Sequence, residues 1–237
     1  MKNLKVWLLV LPLITIACSD DYTAEPNESS YKSKSTKKSL VVISPANASN
    51  PYDSAGILHN EILDILDETA SSSQSVEQIT ALIDSVSAAH PELMLSDNSS
   101  LSSSVSEINW LISSNSSLST ILAESSLSPP ARISFLAFLS SLILAATSSY
   151  EDIHMIIVSY EAIVTGNGIL STADKQIILT STSVARYSVS RKKRKDEDWD
   201  TSVTNIMAAS MGAQQNSVLG SKMAATVGIY QNNQPVN

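Results

Sequence analysis

From Asp53 onward, apolar side chains recur at three- and four-residue steps, the spacing of helices that bury one face. Leu58, Ile62, Ile65 and Leu66 form the first such face, with Pro51 before it. Asp53 is its expected N-cap, and Tyr52 and Ile57 stand in staple positions. Ser75 with Gln78 has the spacing of a capping box for a second helix, whose face is Ile79, Leu82, Ile83 and Val86 and whose end is His90-Pro91. Leu101, Val105, Ile108, Leu111 and Ile112 predict a third helix, and Leu118, Ile121 and Leu122 a short fourth. Pro129-Pro130 opens the most apolar stretch beyond the N-terminus, Ile133 to Thr147, which reads as a central core helix. No charge occurs from Ile133 through Tyr150, but serines and a threonine break the run before it reaches the roughly 20 residues of a membrane span. Ser149 with Asp152, and Ser171 with Asp174, launch two more helices on either side of the stop at Gly166-Asn167-Gly168. The last of these carries Ile177, Ile178, Val184, Ala185 and Tyr187. The pattern predicts an all-α protein, an irregular antiparallel bundle of about 6–8 helices occupying residues 50–190 and a C-terminal helical segment.

The N-terminus has a different pattern. Lys2 and Lys5 precede an apolar run from Val6 to Ile16, and Thr15-Ile16-Ala17 places small residues where a signal peptidase reads. Residues 1–17 are therefore an expected signal peptide. Cys18, the single cysteine, follows at once, so no intrachain disulfide can form. This arrangement resembles the lipobox of bacterial lipoproteins, with Thr15 where that family usually has Leu. The resemblance implies that Cys18 carries a lipid and holds the protein to a membrane. Ser19-Asp20-Asp21 is similar to the surface-export signal of Bacteroidota lipoproteins, which implies an outer-membrane location, periplasmic or surface-facing. Residues 18–49 are rich in Ser, Lys, Asn and Thr and predict a flexible tether, in which the apolar Leu40-Val41-Val42-Ile43 is a candidate for a short strand or for packing on the domain.

Charge and composition narrow the partners. Loss of Lys2 and Lys5 with the leader takes the formal charge from −8 to −10, which excludes a basic nucleic-acid surface as the organising feature. The chain holds 45 serines and few aromatic residues, so Ile, Leu, Val and Ala must build the core. Residues 191–237 form a charged linker and a small-residue-rich helical segment. In the linker, R-K-K-R-K-D-E-D-W-D sets cations at one helix end and anions at the next helix start, both favoured by the helix dipole. In the tail, Ala209, Gly212, Asn216, Gly220, Ala224 and Gly228 fall at three- and four-residue steps, a small-residue stripe flanked by Met207, Met211 and Met223. Such a stripe lets helices approach closely, within the protein's own bundle, between copies or in a membrane.

Candidate chemistry is sparse. H-E-x-x-H, C-x-x-C, G-x-S-x-G and glycine-rich phosphate loops are all missing, so neither a metal nor a cofactor is expected. His59, His90 and His154 are far apart in sequence; His59 and His154 are the catalytic candidates of a hydrolase reading. The densest polar stretch is N-P-Y-D-S-A-G-I-L-H-N-E at 50–61, where helical geometry puts His59 at the edge of the apolar face and turns Asn60 and Glu61 toward water or a loop. Asn50, Pro51, Tyr52, Asp53, Gly56, His59, Asn60 and Leu63, taken with Ser183, Ala185, Arg186, Tyr187 and Ser188, resemble a group of uncharacterised exported Bacteroidota proteins. That resemblance implies an envelope location and no particular activity. The reading is a lipid-anchored binding or interaction protein with a possible protein partner; a hydrolase, and a membrane-active or self-associating protein acting through 209–228, are the alternatives.

Overall fold

The computed structural model describes residues 43–67, 74–89, 100–114, 116–195 and 202–233. Every regular element among them is helical. In chain order these are α1 (Ser54–Asp67), α2 (Val76–Ala89), a short 3-10 helix (Leu101–Ser104), α3 (Val105–Ser113), α4 (Leu118–Ala123), α5 (Pro129–Leu144), α6 (Tyr150–Gly166), α7 (Thr172–Lys195), α8 (Ser202–Gly212) and α9 (Ser217–Asn232). The all-α prediction holds.

Local signals set most helix starts. Gln78 N–H donates to Ser75 Oγ at 3.3 Å, and Ser75 N–H donates back to Gln78 Oε1 at 2.8 Å, closing the expected capping box of α2. Ser149 accepts from the Asp152 amide, and Ser171 and Asp174 close a reciprocal box at the start of α7. Pro129 and Pro130 occupy the first turn of α5, where a missing N–H costs nothing.

The centre is built from α7 and α9, not from the expected apolar stretch Ile133 to Thr147. α9 is buried from Val218 through Ile229 and packs on α8, α1, α2 and α7. α7 is buried from Ile177 through Arg191 and packs on α8, α1, α6 and α9. Both are studded with hydroxyls that fold back onto their own helix: Ser181 Oγ donates to Ile177 O at 2.7 Å, and Thr226 Oγ1 to Lys222 O at 2.9 Å. A hydroxyl satisfied in this way can be buried at little cost, and its small volume brings neighbouring helices together.

The small-residue stripe serves that packing. It does not lie on one helix: Asn216, its one break, is the turn, and its side chain caps α9 by accepting from Leu219 N–H at 2.8 Å. The stripe therefore falls on the facing sides of an α8–α9 hairpin. A Cβ on Gly212 would stand 2.7 Å from Gly220 Cα, and one on Gly220 2.7 Å from Ala209 O, so neither position admits a side chain. Ala209, Gly220, Ala224 and Gly228 are buried within the chain. Among the described residues no helix is long and apolar enough to cross a membrane.

Three further expectations shift. α5 is peripheral, not central: it buries Ala131, Phe135, Phe138, Leu139 and Leu142 but leaves Ile133 72% and Leu144 86% exposed. Ile43, inside the tether bounds of 18–49, takes the packing alternative: it lies on the core, and its carbonyl accepts from Tyr150 Oη at 3.1 Å. The folded body thus begins by Ile43; residues 1–42, including Cys18 and the leader, lie outside the described residues. At the other boundary, α7 runs through Lys195, which puts the cations of 191–195 at a helix end as their charge pattern predicts but moves the boundary expected at 190 into α7, where Arg191 donates to Asp64 Oδ1 at 2.7 Å.

Candidate functional site

The stretch 50–61 and the later S-x-A-R-Y-S meet face to face, where the start of α1 crosses α7. Asn50 turns the chain by accepting from Tyr52 N–H at 2.8 Å, while its amide donates to Leu179 O at 2.9 Å and to Glu161 Oε1 at 2.7 Å. Arg186, fully buried on α7, stands between the carboxylates of Asp53 and Glu161, forming an ion pair with each. Asn47 donates to the second oxygen of Glu161 at 2.7 Å. Tyr187 Oη donates to Asp53 Oδ2 at 3.3 Å; burial first, and the Asp53 charge second, push this phenol up to about 12, so it remains a donor at neutral pH.

Asp53 does not cap α1. Its carboxylate is taken by Arg186 and Tyr187, and Ser183 of α7 supplies the cap from outside, accepting from Gly56 N–H at 3.0 Å and donating to Asp53 O at 2.9 Å. Gly56 is required for this approach: a Cβ there would clash with the Tyr187 ring and stand 2.6 Å from Ser183 O. Asn60 does not face water either. It is 7% exposed, and its amide donates to Tyr187 O at 3.0 Å. Apart from the Arg186–Glu161 pair, which joins α7 to α6, and the Asn50–Tyr52 bond within the entry turn, these contacts join α1 or its entry turn to α7 or α6, so the constellation is a polar lock between helices.

His59 belongs to the lock. Because Asn60 Nδ2 is committed to Tyr187, Asn60 Oδ1 faces the imidazole at 3.1 Å and Nδ1 must carry the proton. Nε2 is then a buried lone pair with no hydrogen-bond partner among the described residues. The ring is 0% exposed, and burial lowers its pKa to about 4, with Arg191 adding to the effect. His154 lies on α6 near enough to the lock to feel the charges of Arg186 and Glu161, tilted against Tyr150 at 5.7 Å between centroids and bonded to the Ser44 backbone. Its pKa is also lowered, first by burial and then by Arg186. The structure does not bring the two histidines into one constellation, and His90 lies outside the described residues. Among the described residues no cluster of His, Cys, Asp and Glu could hold a metal ion.

Open space lies elsewhere. A cleft of about 580 Å³ runs between α3, α4 and α8. Met207, Ser210, Met211 and Gln214 line it from α8 and its end at helical steps of three, one and three, so one face of that helix forms a wall. Trp110 and Glu107 line it from α3, and Ile121, Leu122 and Glu124 from α4 and its end. Gln214 Oε1 accepts from Ser126 N–H at 2.9 Å, and Gln176 Nε2 donates to Ala213 O at 2.8 Å, bracing the end of α8 from two sides. A second groove of about 710 Å³ runs between α5 and α6, floored by the stacked rings of Phe138 and Tyr160, 4.3 Å between centroids. Among the described residues, neither space is lined by a histidine or by Arg186.

The first cleft has no counterpart among the sequence expectations. Its methionines stand out in the sequence only as flanks of the small-residue stripe, and nothing in the pattern joins them to Trp110, almost a hundred residues earlier. Periodicity reports which residues share a face of one helix, not which faces meet. No protein-family model matches the chain, and no curated protein or solved structure matches it.

Proposed function

We propose that the chain is a lipid-anchored cell-envelope protein whose helical domain is a binding module, with the α3–α4–α8 cleft as its ligand seat. The observation that carries the reading is the cleft itself. Its volume falls within the roughly 300–1,000 Å³ of ligand sites, and an aromatic ring and two methionines meet a few polar groups on a braced wall. The leader-like N-terminus followed by Cys18 supports the anchor and the envelope location. The hydrolase alternative draws less support: His59 is sealed in the lock and its basicity is low. The stripe at 209–228 is consumed by the α8–α9 hairpin, which takes its surface from the self-association alternative.

Native mass spectrometry of the protein extracted from its own envelope tests the seat. The wild type should carry a ligand mass that Met211→Trp, which fills the cleft, excludes. Equal adducts on both, or none on either, would overturn the reading. For the anchor, Cys18→Ala should release the protein from membranes.

The α5–α6 face favours a second, interaction reading. Met155 and Ile163 line its groove and are each 63% exposed, and Ile133 and Leu144 of α5 are exposed as well. Exposed apolar surface that is grouped in this way marks docking sites. The groove between the helices has the form that receives an amphipathic helix from a protein partner. A photo-crosslinker at Ile163 should then capture a partner that one at the exposed Ser85 of α2 does not.

A further inference from the structure

Resting on the binding reading of the α3–α4–α8 cleft, we infer that its ligand is an apolar molecule bearing a positive charge, an alkyl- or arylammonium. The polar groups around the cleft are mostly committed already. Ser125 Oγ donates to Leu122 O and Ser210 Oγ to Met207 O, both at 2.7 Å, and Gln214 Oε1 accepts from Ser126 N–H. The remaining strong acceptors are the carboxylates of Glu107 and Glu124, on opposite structural elements of the same cleft. Among the described residues none that lines the cleft is Lys, Arg or His; Arg132, outside the lining, donates to Ala123 O at 2.9 Å.

The aromatic group reinforces the same choice. Glu107 stands three residues before Trp110 on α3, a spacing that places both on one side of the helix. A cation brought to the indole is attracted by the ring's negative face, for which tryptophan is the best of the aromatic side chains. Met207 and Met211 on the opposite wall then receive the apolar body with polarizable, adaptable surface. An anion would meet two like charges here, and a neutral ligand would use only the apolar half of the site.

Charge dependence tests the inference separately from binding. The mature protein carrying Trp199→Phe has Trp110 as its one tryptophan, and its emission reports occupancy. Three probes of one skeleton are titrated: 4-phenylbutylamine, 4-phenyl-1-butanol and 4-phenylbutyrate. The amine should bind at least about tenfold more tightly than the alcohol, and the carboxylate more weakly than either. Glu107→Gln with Glu124→Gln should bring the amine within about threefold of the alcohol while leaving the alcohol's affinity unchanged. Both glutamates are exposed, so the double variant should keep the wild-type helical spectrum and unfolding midpoint. Equal affinity for amine and alcohol in the wild type, or a preference that survives the double substitution, would overturn the charge inference while the binding reading stands. No response to any of the three would count against both.

Discussion

α5 and α7 have exchanged the positions their compositions suggest. α5, the more apolar, lies at the edge of the bundle with Ile133 and Leu144 in solvent. α7 carries Thr180, Ser181, Thr182, Ser183, Ser188 and Ser190 and lies at the centre, where all six are buried. The difference shows that burial here follows side-chain size as much as hydrophobicity: Ser181, Thr182 and Ser183 donate to carbonyls, while Thr180 Oγ1 and Ser188 Oγ are buried with no hydrogen-bond partner among the described residues. A hydroxyl bonded to a carbonyl of the preceding turn, or to a neighbouring helix, exposes no unpaired polar group and leaves room for a backbone to approach. Gly56 and Ser183 meet across α1 and α7 in this way, and Gly212 and Gly220 across α8 and α9. α5 has bulky Phe135, Phe138 and Leu139 on its inner face and can only lean against the outside.

Removing the charge at the centre of α7 should give the largest effect. Arg186→Met leaves Glu161 buried and Asp53 largely so, without their counter-ion, and should cost about 3–5 kcal/mol in chemical denaturation. A loss below about 1 kcal/mol would mean that the lock contributes little to the centre.

The pH dependence of stability probes the same region. His59 is held neutral inside the fold at a pKa of about 4, below its ordinary 6.5. Its contribution is therefore complete above pH 6.5 and is lost as pH falls from 6.5 through 4, since the unfolded chain takes up the proton first. The shift corresponds to about 3 kcal/mol at most. Asn60, Asp64 and Arg191 act on the ring, and His154 contributes in the same direction. His59→Leu should flatten the decline between pH 6.5 and 4; an unchanged profile would show that the ring is not the group being titrated.

Steric closure gives a comparable or smaller effect. Gly56→Ala should destabilise by about 1–3 kcal/mol, because the added methyl meets Tyr187 and Ser183. Gly166, with nothing within 4 Å of an added Cβ, is the control: the same change there should be neutral or slightly stabilising. Smallest of all, Ile133→Ser or Leu144→Ser on α5 should shift stability by no more than about 0.5 kcal/mol, as expected for exposed positions. A loss of about 2 kcal/mol at either would place α5 inside the bundle after all.

What is legible in the sequence is local. Ser75 with Gln78 and Ser171 with Asp174 declare helix starts because both partners lie within four residues. Asp53 has the look of such a cap, yet its real partner, Arg186, is 133 residues away. Asn60 reads as water-facing for the same reason: one helix's period cannot show that a second helix will cover its polar side. The stripe at 209–228 is visible as small residues but not as two helices, because its three- and four-residue steps run on through Asn216 as if along one helix. The motif residues are legible as a set. What they do is not, since the set acts only when α1 and α7 meet; and the cleft, drawn from α3, α4 and α8, leaves no mark on any single segment.

The central claim is that the densest polar stretch of the chain is a lock between α1 and α7, and a double-mutant cycle on Asp53 and Arg186 tests it most directly. Asp53→Asn, Arg186→Met and the pair are unfolded in denaturant, and the coupling energy is taken from the three losses. The account predicts a coupling of about 1–3 kcal/mol, within the roughly 0.5–3 kcal/mol of residues sharing one network. Losses that add to within about 0.5 kcal/mol would contradict it.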